Sequence, residues 1–469
     1  MKNICSAIVL LLSLNVFAQE KTVKAFTVNE AVEYALQFNN SVKNGKLGIS
    51  QAKWRNLEIY TTGLPKINAN FDYSYYFKQP ISPALGKAFS EGVLAKVFQE
   101  LANPTNGTPP NPAIQNALSA PSEPVSFVLP HNISTGVQVN QLLFDGRYIF
   151  GIKAAKDLMI TARLSSRMSD FETKYAVMKA YYQALAPIEA KGLLQENLKI
   201  IEKLVGDIRA TYNEGLVEET DVNRLELAQA TLESQIALQN QMSEVALANL
   251  KFQMGLSLNE EIILRDNLTE LKDEIQTNIA EQFDARKRIE YQLLETGIKL
   301  KNYDMRQKRV QHFPSLYAFL NYGWNSQSQS GSELFKKNSW FDQGLVGITL
   351  KVPIFDSGEK LAQVNQAKIE QQKTMNDFEN FKNASELQFR AAQSGFNSAL
   401  IDEANMKRAQ ELSKRIFDRT TIKYNEGVGN SFELQQSEQD LATNNLKFIQ
   451  SSLNVLNAKA DLDKALGVK

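Results

Sequence analysis

Four stretches of the chain alternate apolar and polar residues with a period of two. Between Lys66 and Lys78 the odd positions are Ile67, Ala69, Phe71, Tyr73, Tyr75 and Phe77, and the even ones include Asn68, Asn70, Asp72 and Ser74. Ile133, Thr135, Val137 and Val139 alternate in the same way with Asn132, Ser134, Gln138 and Asn140. Further on, Leu316, Ala318, Leu320, Tyr322 and Trp324 share one face, and so do Val346, Ile348, Leu350 and Val352. Each run predicts a strand with one greasy and one wet side. Each is also close to the roughly 9 to 11 residues of a tilted membrane-spanning strand. Alternation alone describes a soluble two-hairpin sheet packed on helices equally well.

Between these runs the texture changes. From Tyr148 to Tyr212 and from Glu359 to Tyr424 the chain is rich in Ala, Leu, Gln, Glu and Lys; the second stretch has no proline and only Gly395. Both predict single helices of roughly 100 Å at 1.5 Å per residue. Each ends in a Tyr-Asn-Glu-Gly turn, at Tyr212–Gly215 and Tyr424–Gly427, and continues into a second helix, Glu219 to Met254 or Phe432 to Leu466. The unit is a long helical hairpin. Pro187 falls inside the first long helix, where loss of one ladder bond is expected to kink or locally open it.

The two halves match in order. Tyr212-Asn213-Glu214-Gly215-Leu216 recurs as Tyr424-Asn425-Glu426-Gly427-Val428, Leu143-Phe144-Asp145-Gly146 as Ile354-Phe355-Asp356-Ser357-Gly358, and Met254-Gly255 as Leu466-Gly467. Leu64-Pro65 matches Phe313-Pro314 at a larger offset, which places an insertion at residues 79–130 of the first half. The pattern predicts a mainly α chain with a β portion, built from two structural repeats, each a strand pair plus a long helical hairpin. Its parts are N-terminal helices (19–64), a first strand pair (65–144) and hairpin (145–257), connecting helices (258–312), and a second strand pair (313–355) and hairpin (356–469).

Residues 1–18 read as a secretory signal, with Lys2, the apolar run Ile8 to Leu14 and the small-residue site Val16-Phe17-Ala18. Cys5, the single cysteine, would leave with it. Lys+Arg and Asp+Glu are both 52, so no basic excess is present to neutralise nucleic-acid phosphates. One cysteine and two histidines, His131 and His312, leave little material for a metal site or a catalytic triad, and no cofactor or catalytic residue is expected. After residue 18 no apolar run reaches the roughly 18 residues of a spanning helix, so any insertion must be by strands. Four strands are too few for a barrel, since the smallest have about eight. If the strands span, the chain must oligomerise.

Signal, duplicated strand pair, duplicated hairpin and Tyr-x-x-Gly turns together resemble the TolC-like outer-membrane efflux proteins. The resemblance covers the mature chain and rests on the order of loose motifs: Leu-Pro or Phe-Pro before the first strand of each half, Leu-Phe-Asp-Gly or Ile-Phe-Asp-Ser-Gly after the second, and Gly215 to Val222 as a Gly-Leu-Val-x-x-Thr-Asp-Val turn. It implies a homotrimer in outer-membrane lipid, with a twelve-stranded transmembrane barrel, a periplasmic α-helical tunnel, and residues 79–130 and 325–340 as extracellular loops. It also implies a tip, formed by Gly215, Leu216, Val217, Gly427 and Val428, that meets a periplasmic adaptor coupled to an inner-membrane transporter. By motif position Asp221 and Tyr424 would hold the closed gate, and Glu433 would repeat as an acidic ring. Gly429 and Gln436 stand where the best-known member of the family has an arginine and a second aspartate, which implies a latch that is weaker or differently wired.

Simpler roles remain open for the same residues. Thr220 or Asp221 can cap the return helix, and Tyr212 and Tyr424 can be coiled-coil packing residues. Gly215 and Gly427 fit a turn that needs positive φ whatever touches them. Asp145 and Asp356 read as caps of the long helices. The function that follows is a passive exit duct for small molecules or secreted polypeptides. The competing readings are a non-transporting coiled-coil structural or adhesive surface protein with a barrel anchor, and a secreted enzyme with its site in residues 79–130.

Overall fold

A computed structural model describes residues 24–80, 96, 99, 128–275 and 283–468. The signal segment with Cys5 and most of the 79–130 insertion lie outside the described residues. The chain divides into two compact units, Met1–Asn56 with Lys153–Met305 and Asn365–Lys469, and Leu57–Ile152 with Arg306–Val364.

The second unit holds four antiparallel strands. They are β2 (Lys66–Tyr75), β3 (His131–Phe144), β5 (Ser315–Ser328) and β6 (Trp340–Lys351), paired in the order β2-β3-β5-β6. Each alternating run thus becomes a strand, and the two pairs join through β3 and β5. Register carries the alternation across the whole sheet. Ile67, Val139, Leu320 and Val346 form one row of paired residues, and Asn68, Gln138, Asn321 and Leu345 the next, on the opposite face. Ile67, Leu320, Val346, Ile348 and Leu350 are all exposed, Val346 at 76%. In a soluble sheet packed on helices such a face would be buried. At the centre Gly136 pairs with Gly323, and a Cβ on Gly136 would lie 2.7 Å from the Tyr322 carbonyl oxygen.

The strands end where the sequence changes texture. Asp145 accepts from the Arg147 backbone N–H at 2.7 Å and is gripped by the Arg147 side chain, so it caps the helix that starts at Gly146. Asp356 accepts from the Gly358 N–H at 3.1 Å in the tight turn before the second long helix, where Ser357 has φ 52° and Gly358 φ 86°.

Among its described residues the first unit is helical apart from one short strand pair. Its helices are α1 (Val28–Phe38), most of α2 (Asn40–Thr61) and of α3 (Gly146–Asn213), α4 (Glu219–Met254), α5 (Leu268–Asp273), most of α6 (Ile289–Val310) and of α7 (Glu359–Asn425), and α8 (Ser431–Leu466). α3 and α7 contain 68 and 67 residues, and α4 and α8 contain 36 each. α3 runs through Pro187 without a break, contrary to the expectation of a local opening. The missing bond is tolerated because Ala184, Leu185, Ala186 and Ala190 are buried around it, so packing rather than one ladder bond holds the turn.

Helices alone were expected over 19–64 and 258–312, but β1 (Lys24–Phe26) pairs in parallel with β4 (Ile262–Leu264). Three-residue strands are too short to show a period. The buried Tyr181 hydroxyl donates to the Phe26 carbonyl at 2.8 Å and fixes this small sheet to α3. No described helix is long and apolar enough to cross a membrane.

Candidate functional site

The two hairpin turns have the same local construction. Gly215 (φ 77°) donates to Tyr212 O and Leu216 to Thr211 O; Gly427 (φ 70°) donates to Tyr424 O and Val428 to Lys423 O. This is a left-handed helix stop that closes the last carbonyls of the preceding helix. Both glycines therefore have the positive φ that the turn motif requires. Leu216 and Val428 are the exposed points, 72% and 78% accessible, while Val217 is half-buried against the core between the hairpins.

Below the turns a core of Leu204, Val205, Ile208, Val222, Leu225, Phe417, Leu434 and Leu441 joins α3, α4, α7 and α8. Asp221 lies at its edge in the first turn of α4. It is not that helix's cap, because Glu218 holds the cap position without a side-chain bond. The Asp221 carboxylate accepts from the Ser431 hydroxyl instead, and Arg224 Nη1 lies 3.6 Å from it and donates to Ser431 Oγ at 3.2 Å. Arg224 also stands over the Phe432 ring, 5.8 Å from its centroid. Asp221, Arg224 and Ser431 thus form one polar knot between the starts of α4 and α8.

Tyr424 packs on the same core and is half-buried. Burial and, second, the Asp221 charge raise its pKa above the usual tyrosine value. The hydroxyl is close enough to feel Asp221, but Ser431 takes the bond. Glu433 is exposed, and its backbone N–H is capped by Asn430 Oδ1 at 2.8 Å. Gln436 donates to Asp440 at 3.1 Å along its own helix. At Gly429 a Cβ would lie 3.0 Å from Tyr424 N, so the turn presses this residue against the end of α7. A larger residue would not fit that approach without a shift.

Of the residues singled out from sequence, Asp221 and Tyr424 come together, Glu433 stands apart on the surface, and the tip residues sit at the two turns. Ser431 and Arg224 were missed. Arg224 carried a faint signal, since it follows Asp221 by three residues and so shares its helix face. Ser431 carried none, because its role depends on a helix more than 200 positions away.

The sheet supplies a second polar surface. A cavity of about 540 Å³ lies over its wet face, lined by Asn70, Ser134, Gln138, Asn321, Asn325 and Gln343 around the Gly136–Gly323 pair. These groups are amides and a hydroxyl, able to donate and accept but without charge.

Residues 293–468 match the family model described as Outer membrane efflux protein. Among curated proteins, the Proteases secretion protein PrtF of Dickeya chrysanthemi is 23% identical over 241 residues; the alignment spans about half of each chain. Among solved structures, the Campylobacter jejuni CmeC outer membrane channel covers 94% of this chain and 85% of its own, with TM-score 0.68 and 17% identity. The Neisseria gonorrhoeae MtrE outer membrane channel, solved in its open state, covers 94% and 88%, with TM-score 0.66 and 18% identity. The chain has the fold of these channels.

Proposed function

From an outer membrane efflux protein domain over residues 293–468 and a channel fold over 94% of the chain, we propose that three copies assemble into an exit duct of the outer membrane. The observation that carries this reading is the four-stranded sheet. One face exposes Ile67 on β2, Leu320 on β5 and Val346, Ile348 and Leu350 on β6, the opposite face is lined with amides, and β2 and β6 are left with open edges. Such a sheet is stable in lipid only when its edges are paired, because a bare backbone group there costs several kcal/mol. Three copies supply twelve strands and close the barrel, with the wet faces lining the lumen.

The helical hairpins, related by internal duplication, form the periplasmic tunnel. Leu216 and Val428 at its tip meet an adaptor that couples the duct to an inner-membrane pump. Asp221 and Tyr424 belong to the closure of that tip, with Ser431 and Arg224 as further members, and Glu433 repeats as an acidic ring of the pore beside it. The cargo is a small molecule or a secreted polypeptide selected at the pump, and the duct does no chemistry. Reconstitution of the purified protein in a planar bilayer tests the reading: a trimer giving discrete conductance steps supports it, and a folded, inserted trimer that never conducts overturns it in favour of a structural or adhesive protein.

A further inference from the structure

α8 carries polar residues at seven-residue intervals on its buried side: Ser431, Glu438, Asn445 and Ser452, all at most 3% exposed. The opposing helix α7 meets them in antiparallel order. Gln410 donates to Asn445 at 3.1 Å. Stepping seven residues from that bond in opposite directions sets Phe417 level with Glu438, and Tyr424 level with Ser431. Ser431 and Asn445 have partners, in Asp221 and Gln410. Glu438 does not: it is 2% exposed, and its Oε1 is buried with no hydrogen-bond partner among the described residues. Its layer holds Phe417, Leu434, Leu441 and Ala442 instead.

The charged groups of the packed helices are elsewhere. Lys203, Asp207 and Arg209 of α3, Glu219 of α4, Lys414, Arg415, Asp418, Arg419 and Lys423 of α7, and Glu433 and Asp440 of α8 are exposed. Asp221 and Arg224 are engaged with Ser431, and Glu226 with Arg209 at 2.7 Å. Glu226 is the residue that the repeat offset places opposite Glu438 in the other hairpin. There the same carboxylate is half-exposed and paired; here it is buried and alone.

We propose that Glu438 is a proton switch, holding the α7–α8 hairpin tightly closed when protonated and loosening it near the tip when ionised. An ionised carboxylate among Phe417, Leu434 and Leu441 can regain solvation only if α8 moves away from its neighbours. Burial pushes the carboxyl up from its ordinary 4.5 to about 7. A raised value means that the closed hairpin binds the proton more strongly than the opened one. The extra stability of the closed form is complete below about pH 4.5 and is lost as pH rises to about 7. The switch rests on the duct reading for its effect on flow, and not for its effect on the hairpin itself.

Hydrogen–deuterium exchange of the full-length protein in detergent, corrected for intrinsic rates and followed over residues 411–446 from pH 5 to 8, tests it. The opening constant should rise about tenfold per pH unit between pH 5 and 7 and level off above that range. Glu438→Gln and Glu438→Leu should both be flat, with Glu438→Gln at the acid level of the parent, while Glu226→Gln should keep the parental slope. A flat parental profile, a slope retained in both Glu438 variants, or a slope removed by Glu226→Gln overturns the proposal. If exchange switches as expected while no conductance is ever recorded, the proton switch stands and the duct reading fails.

Discussion

Ser431 donates its hydroxyl to the carboxylate of Asp221 across 210 residues of sequence, joining the first residue of α8 to the first turn of α4. Arg224 braces both groups, through a bond to Ser431 Oγ and an ion pair with Asp221. The start of each return helix is therefore tied to the other by side chains, while the two turns themselves are closed only by their own backbone.

Loss of this knot should loosen the tip. A single hydrogen bond is worth about 0.5–1.5 kcal/mol, so a few per chain form a latch that a partner can open. Ser431→Ala and Asp221→Ala are expected to raise resting conductance in a bilayer, and the double variant to add little to either single one. Tyr424→Phe should add nothing further in the Asp221→Ala background, since the hydroxyl does not hold Asp221. Equal conductance in all of these variants and the parent would place the closure elsewhere along the tunnel.

Glu433 has a different role. It is exposed, it caps nothing with its own carboxylate, and three copies around a tunnel axis would form a ring of like charge. Glu433→Gln should weaken cation preference and block by divalent ions without changing resting opening. Reversal potentials in asymmetric salt read the first effect, and a titration with magnesium reads the second. A variant with unchanged selectivity removes Glu433 from the pore.

The long-range organisation of the chain was legible because it is written in periods. Alternation from Lys66 to Lys78 and from Leu316 to Trp324, and the helical stretches Tyr148–Tyr212 and Glu359–Tyr424, define elements whose ends fall within a few residues of the observed ones. The Tyr-x-x-Gly turns were legible because glycine is the residue that adopts their φ at little cost. The knot was only half legible. Asp221 stood out by motif position, but whether it would bond Tyr424, Ser431 or its own helix depended on the packing of hairpins far apart in sequence. The β1–β4 pair and the continuity of α3 through Pro187 were also settled by tertiary packing, which local propensity does not encode.

The exposed apolar rows and open edges should make assembly obligatory. Mass measurement in detergent is expected to give a trimer. Leu320→Asp, in the middle of the greasy face, should reduce membrane insertion, whereas Asn321→Asp, its neighbour on the wet face, should be tolerated. A conducting monomer or dimer would contradict a twelve-stranded barrel.

If the helices lie in the periplasm, as proposed, position within the sheet unit decides which end of the strands faces outward. The helical ends at Gly146 and Glu359 follow β3 and β6, so the segment joining β5 to β6 lies at the far end of the sheet. A cysteine at Ser330 should be labelled by an impermeant reagent on intact cells. Labelling only after the outer membrane is broken would invert the topology.

The buried ion pair between α5 and α7 offers a test of stability that is independent of the gate. Lys272 Nζ lies 2.9 Å from Glu403 Oε1 and 2.5 Å from Asp273 Oδ1, with the Lys272 and Glu403 side chains only 10% and 8% exposed. The two partners are not equivalent. Removing Glu403 leaves Lys272 still paired with Asp273, whereas removing Lys272 strands a buried carboxylate, and an uncompensated buried charge costs about 3–5 kcal/mol. Lys272→Met should therefore lower the unfolding midpoint of the helical unit more than Glu403→Leu does. The double variant Lys272→Met/Glu403→Leu should recover most of the loss, because two apolar side chains can pack where the pair stood, beside Leu271 and Met406. Thermal unfolding in detergent, compared by the order of the three midpoints, reads this directly. A double variant no better than Lys272→Met would mean that α5 is held by the pair's specific geometry and not merely by neutralised charge.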